Sequence, residues 1–306
     1  MKQYEFHLVD VFTDRQFAGN QLAVLPDARG LDAATMQKLA REFNFSESTF
    51  VLPAKHPNND FHVRIFTPTE ELPMAGHPTV GTAYVLARKK LIEQSDEAVT
   101  VKFEEGIGVI PVTLTFRESQ PDMITMQQPL PEFGPEFSDR KIIAEILSLQ
   151  VGDLVDNLPV VVVSCGVPFL YVPIRNLKAM KSIRYRPELA EKHLNDLATK
   201  MIFAFAVDPE TAEGTVHSRM FEPAMGIGED PATGAASGPL GCYLVHYGVL
   251  PAARDTKIVS EQGFEIGRPS IIRIEIDQDD HDIKVVRVGG RCAYLGGGVL
   301  EVADHD

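Results

Sequence analysis

Polar and apolar residues alternate through MKQYEFHLVDVF at the start of the chain, the period-two pattern of a strand with one buried face. DAATMQKLAREF (32–43) reads as a helix, and the segment containing STFVLP (48–53) as the strand that follows it. The most apolar stretch, LPVVVVSCGVPFLYVPI (158–174), is interrupted by Gly166, Pro168 and Pro173, which suits two short strands better than a membrane helix. Further short strands are written in VTVKF, IGVIPVTLTF, IIRIEI and DIKVVRVGG. Two segments break the alternation. PTVGTAYVLARKK is apolar nearly all round until its basic end, and PATGAASGPLGCYLVHYG is rich in Gly and Ala. A helix apolar on every face is buried, and small residues let neighbouring strands come close.

The two unusual helices belong to a repeat separated by about half the chain. Arg64, Phe66 and Pro68 correspond to Arg219, Phe221 and Pro223; His77, Pro78, Gly81 and Ala83 correspond to Asp230, Pro231, Gly234 and Ala236. Upstream, STFVLP (48–53) resembles AFAVDP (204–209), and FAGNQLAV (17–24) more weakly resembles SCGVPFLYV (164–172). Each half then runs strand, strand, helix, strand, strand, helix and further strands. The expected fold is α+β, with two pseudo-symmetric lobes that each wrap a curved, mostly antiparallel sheet around one central helix. Domain limits are expected near 1–125 and 126–290, with the lobes facing each other across a cleft.

In this picture Pro78 and Pro231 take the first helical position, and His77 and Asp230 become the two N-caps. Free N–H groups and the positive ends of both helices would suit a small carboxylic acid. Asp is among the best N-caps, so Asp230 has a purely structural explanation as good, locally, as a catalytic one. Histidine is a poor N-cap, and a helix N-terminus disfavours imidazolium, so a neutral, hydrogen-bonding His77 is expected. Glu47, in NFSESTFVLP, reads locally as a solvated turn residue. Aligning the halves sets it opposite Phe203, an acid against an aromatic, which an asymmetric proton-transfer site would require. The other histidines (His7, His56, His62, His193, His217, His246, His281, His305) fall at strand, loop or tail positions and are assigned no chemistry.

Composition narrows the setting. The 306 residues are 44% apolar, ample for a core, and carry a formal charge of −14, which argues against nucleic acid or an anionic membrane as partner. Cys165, Cys242 and Cys292 are scattered, with no CxxC or other metal-ligand spacing, and the N-terminus lacks the apolar core of a signal peptide. A reduced, cytoplasmic location is expected. Without GxGxxG, GxxxxGK, HExxH or GxSxG, neither nucleotide, zinc nor serine-hydrolase chemistry has a motif to support it.

FTDRQFAGNQLAV, ESTFVLP, RIFTPTEELPMAGHPTVGTA, GEDPATGAASGPLG and QGFEIGRPS resemble the phenazine-biosynthesis isomerase-like, or PhzF-like, family over essentially the whole chain. The resemblance implies the diaminopimelate-epimerase fold, whose last strand, here about 290–306, returns to the first lobe. It implies Glu47 as general acid/base, His77 and Asp230 as further active-site groups, and N–H groups at Gly234 and Ala235 for the substrate carboxylate. Asn20, Ser46 and Gly76 are expected to bind substrate beside them. The implied reaction is a cofactor-independent isomerisation that moves a carbon-bound proton, as in trans-2,3-dihydro-3-hydroxyanthranilate isomerase, with no metal and in a homodimer. Ala235 replaces a serine frequent in the family, and Gln21 replaces a proline, which bears on the choice of substrate. Racemases of the wider superfamily use two facing cysteines; Gly76 and Asp230 stand at those positions here. Alternatives are a non-catalytic protein that binds small acids and an epimerase of amino or hydroxy acids.

Overall fold

The computed structural model describes residues 1–222, 227–251, 253–279 and 282–303, with Glu222 and Ile227 described in backbone only. Pro223, His281 and His305 lie outside the described residues. The chain forms two compact units, Met1–Gln127 with Gly289–Asp306, and Gln128–Val288.

The first unit contains β1 (Lys2–Val11), β2 (Asn20–Leu25), α1 (Ala33–Phe43), β3 (Glu47–Pro53), β4 (Phe61–Phe66), β5 (Glu71–Leu72), α2 (Gly76–Arg88), β6 (Val99–Glu105), β7 (Gly108–Arg117) and β8 (Gln120–Gln128). A final strand, β18 (Cys292–Val302), pairs antiparallel with β1. From β1 onward the ladder runs antiparallel to β2, parallel to β3, antiparallel to β4, parallel to β6, then antiparallel to β7 and β8.

In the second unit β9 (Glu132–Glu136), α3 (Arg140–Leu147), β10 (Val161–Ser164), β11 (Pro168–Pro173), α4 (Leu177–Ser182), α5 (Pro187–His193), β12 (Ile202–Ala206) and β13 (Val216–Glu222) come first. They are followed by β14 (Ile227–Asp230), α6 (Gly234–His246), β15 (Asp255–Gln262), β16 (Ser270–Asp279) and β17 (Asp282–Gly290). β9 flanks β10, and from β10 the same sequence recurs: antiparallel to β11, parallel to β12, antiparallel to β13, parallel to β15, antiparallel to β16. This is the duplicated α+β topology that the repeat predicts.

Each unit is built around its apolar helix. Every residue of α2 from Gly76 to Ala87 is buried, and the helix touches β1, β2, β3 and β7. Residues Gly234 to Val245 of α6 are likewise buried, against β10, β11 and β16. Gly81 lets α2 approach the sheet. A Cβ there would lie 2.6 Å from Leu22 Cδ2 and 2.7 Å from Val11 Cγ2.

The recurring R-x-F is a structural device. Arg64 forks onto Glu71 at 2.7 and 2.6 Å and stacks over Phe66 at 5.0 Å. Arg219 forks onto Glu229 at 2.8 and 2.7 Å and stacks over Phe221 at 5.1 Å. Both arginines thereby tie a strand to the short strand leading into the central helix.

The ladders correct one alignment. Arg64 faces Phe50 on β3, whereas Arg219 faces Ala204 on β12. The third strand is thus slipped by two positions from the pairing that similarity of STFVLP and AFAVDP suggests. A slip of two keeps every side chain on its face, so sequence pattern alone does not detect it. The counterpart of Glu47 is Met201, not Phe203. Phe203 sits inside β12, between Tyr171 and Met220, and is fully buried.

His217, assigned no chemistry from sequence, is fully buried with Nδ1 at 3.2 Å from Glu261 and Nε2 at 2.9 Å from Glu265. Both ring nitrogens face carboxylates, which favours the imidazolium form. Burial alone would lower its pKa, but the bonds and charges of Glu265 and Glu261 raise it above the ordinary value.

Two outcomes are expected. Gly81→Val should cost about 1–3 kcal/mol by overpacking, read as a lower denaturation midpoint. Because the folded pKa of His217 is raised, its ion pairs contribute fully below the unfolded value of 6.5 and fade as pH climbs through the folded value. The Tm difference between wild type and His217→Gln should therefore narrow on going from mildly acidic to alkaline buffer.

Candidate active site

The first unit gathers five of the predicted residues. Glu47 opens β3 beside Leu22 of β2, and Asn20 opens β2 itself. Ser46 Oγ donates to Asn20 Oδ1 at 3.1 Å. The loop entering β2 holds a demanding shape: Phe12, Phe17 and Gly19 all have φ near +65°, at 64°, 66° and 65°. Phe17 N–H is anchored by the buried Asp10 carboxylate at 2.8 Å. At Gly19 a Cβ would fall 2.2 Å from the Val11 carbonyl, so only glycine fits.

His77 and Gly76 come from the start of α2. His77 is 4% exposed, and its Nε2 lies 3.4 Å from Glu47 Oε2. Burial pushes its pKa down to about 3, against a small opposing effect of a hydrogen bond to the Gln21 backbone. The ring is neutral. With Nδ1–H committed to the Gln21 carbonyl, Nε2 presents a lone pair to the Glu47 carboxyl. A neutral imidazole and a carboxyl group at this distance do not form an ion pair. A carboxyl group so placed can take up or release one proton, its charge changing by one unit.

The remaining three residues belong to the second unit. Asp230 ends β14 and is 7% exposed; its Oδ2 accepts from Thr233 Oγ1 at 2.5 Å. Gln262 braces the same turn, accepting from Thr233 N at 3.0 Å and donating to Asp230 O at 2.8 Å and Thr233 Oγ1 at 2.9 Å. Gly234 and Ala235 are the first two residues of α6, where N–H groups have no partner one turn earlier.

The expected N-caps are overturned. Ala75 caps α2 and Thr233 caps α6, so His77 sits within the first turn, Asp230 precedes the helix by a short extended link, and neither Pro78 nor Pro231 is the first helical residue. The reason is in the strands. β14 pairs with β13 as far as Asp230, which keeps that residue extended, whereas β5 ends earlier and leaves Gly76 free to turn. The two helices are both 13 residues long. Aligned from their first residues, they set Gly76 against Gly234 and His77 against Ala235.

One residue at this site was missed in the sequence. Glu105, at the end of β6, is 7% exposed and contacts Thr79 Oγ1 in the first turn of α2 at 2.5 Å. The signal was present, since FEEG (103–106) and SEQG (260–263) form another pair of the repeat. Glu104 and Glu261 perform one task in it. Glu104 accepts from the Lys55 and His56 amides at 2.7 and 2.8 Å, and Glu261 from those of Glu210 and Thr211 at 2.6 and 2.8 Å.

Among the described residues no group of three or more His, Cys, Asp or Glu side chains could hold a metal ion. No described helix is long and apolar enough to cross a membrane. A depression of about 250 Å³ at Lys2, Tyr4, Gly30, Leu31, Asp32 and Thr35 includes none of the candidate residues.

The profile of the family described as phenazine biosynthesis-like protein matches residues 9–298. The chain belongs to that family. It is 35% identical over 300 residues to an uncharacterized isomerase of Clostridium acetobutylicum, covering 96% of this chain and 97% of the relative. It is 32% identical over 295 residues to the trans-2,3-dihydro-3-hydroxyanthranilate isomerase of Pseudomonas aeruginosa, covering 96% and 98% respectively. Among solved structures, the PhzF-family phenazine biosynthesis protein of Bacillus anthracis matches with a TM-score of 0.89 at 28% identity, over 99% of this chain and 100% of the other. A hydroxyproline epimerase of Agrobacterium vitis matches with a TM-score of 0.65 at 11% identity, over 98% and 91%, and shares the fold alone. This family member is an isomerase of a small molecule, built on the epimerase-type fold.

The electrostatics of His77 can be checked directly. In ¹⁵N spectra its ring should remain the neutral Nδ1–H tautomer across about pH 5–8, the range where an ordinary histidine titrates. A ring that titrates with a midpoint near 6.5 would contradict the assignment.

Proposed function

We propose that this protein is a cofactor-independent isomerase that moves a carbon-bound proton on a small carboxylate. Glu47, as the carboxylate, removes the proton from one carbon, becomes the carboxylic acid and returns the proton to another carbon, while neutral His77 orients the carboxyl. Asp230 and the N–H groups of Gly234 and Ala235 supply the polar contacts and the anion site that a small carboxylate needs. Asn20, Ser46 and Gly76 complete the surroundings of the acid/base. The observation that carries this reading is the 3.4 Å approach of a buried imidazole to the Glu47 carboxyl, an arrangement suited to general acid/base work. Kinship with a named isomerase supports the same reaction class. The substrate is proposed as a ring or chain acid whose labile C–H lies next to a conjugated system, trans-2,3-dihydro-3-hydroxyanthranilate being the first to try. Ala235 removes a hydroxyl from the anion site, which favours a carboxylate held by backbone N–H groups alone. The three cysteines are free thiols, as a reducing cytoplasm would keep them, and a homodimer is the assembly expected from the resemblance.

The test is deuterium uptake from heavy water into small carboxylates, read by mass spectrometry. Glu47→Gln should lower uptake by about 10²–10⁴-fold at unchanged Tm. Full uptake in that variant would remove Glu47 from the reaction. Ligand-induced stabilisation without uptake by wild type, for any acid tried, would instead indicate a binding protein.

A further inference from the structure

We propose that Glu105 enters the fold as a neutral carboxylic acid and is a positioning residue, whose single proton latches the first turn of α2, and with it Gly76 and His77, onto the end of β6.

Thr79 Oγ1 lies 2.7 Å from the Ala75 carbonyl and 2.5 Å from Glu105 Oε1. A carbonyl only accepts, so the one hydroxyl proton of Thr79 is committed to Ala75. The contact with Glu105 then needs a second proton, and only the Glu105 carboxyl can bring it. The bond therefore runs from Glu105 Oε1–H to Thr79 Oγ1. Ser237 in α6 makes the corresponding bond to the Thr233 carbonyl, at 2.9 Å.

The repeat supplies an internal control. Gln262 occupies the position of Glu105 in the second unit and also holds the start of its central helix, with an amide N–H₂ donating to Thr233 Oγ1. An amide is a permanent donor; a carboxyl is one only while protonated. Two halves of one frame thus do the same work, one with a donor that can be titrated away.

Among the described residues no charged group stabilises an ionised Glu105. The titratable side chains near that end are His77 on α2, which is neutral, His62 on β4, which pairs with Glu104, and Glu104 on β6 itself, which is bound to the 55–59 loop. β7 brings Gly108 opposite Glu105, and the segment before α2 brings Pro73, against which Gly106 and Ile107 are tightly fitted. Glu105 Oε2 is buried without a hydrogen-bond partner. Burial raises the pKa to about 8. Above that pH the latch loses its proton and sets a bare carboxylate against a hydroxyl oxygen already committed elsewhere. The start of α2 should then loosen, and His77 should lose its fixed distance to Glu47.

The test uses the full chain labelled with ¹³C at glutamate carboxyls, with the Glu105 signal identified by its loss in Glu105→Gln. The expected midpoint is near pH 8, against 4.5 for an ordinary glutamate, and the His77 ring signals should shift with the same midpoint. Glu105→Gln, which keeps a donor, should leave the His77 signals as in wild type at pH 6 and abolish their alkaline shift. Glu105→Met, which has none, should show the loosened His77 signals at every pH. The folded pKa is raised, so wild-type stability falls as pH rises from 4.5 to about 8, and the Tm advantage of Glu105→Gln should grow across that window and vanish below it. A Glu105 carboxyl titrating like an exposed one, or Glu105→Met with wild-type His77 signals, would overturn the proposal. Neither readout requires turnover, so failure of the isomerase assignment would leave this test intact.

Discussion

A helix enclosed by its own sheet cannot rely on water for its first-turn N–H groups, and this constraint organises both units. Its N-terminus must be held by protein groups that arrive from a neighbouring strand. In the first unit Glu105 contacts the Thr79 hydroxyl in the first turn, and in the second Gln262 bonds the backbone N–H and the hydroxyl of the cap residue Thr233. The forks Arg64–Glu71 and Arg219–Glu229 fix the short strands that lead in. A helix start held so firmly is a place where side-chain geometry stays defined, as catalysis of proton transfer requires.

The same burial sets the chemistry. Desolvation favours the neutral form of His77, so its approach to Glu47 is not an ion pair. A carboxyl and an imidazole both exposed to water would separate as ions, and Glu47 would then be a weak base toward a carbon acid. The reduced solvent access at this position, 5% for the His77 side chain and 15% for Glu47, is what couples packing to reactivity.

Duplication provided a symmetric frame on which the halves diverged. The devices that hold loops and strands were kept in both, as with Glu104 and Glu261. The positions nearest the helix starts were not: His77 stands against Ala235, and Glu105 against Gln262. The two helix starts of one duplicated frame thereby carry different polar groups.

Much was legible in the residues alone. The alternating strands, the helix opening at Asp32, the two all-apolar helices and the R-x-F repeat follow from local periodicity and local composition, and these determine the duplicated α+β order. Whether a strand is slipped by two positions, as β12 is, leaves the pattern of buried and exposed residues unchanged, so only the ladders settle it. Where a helix begins was likewise beyond the sequence, because D-P and H-P look alike until pairing of β14 holds Asp230 extended while Gly76 and His77 turn into α2. A neutral His77 was expected from its place at a helix start, whereas the protonation of Glu105 was decided only by tertiary structure, since the ionisation of a group depends on what surrounds it in space, and its neighbours along the chain do not report that.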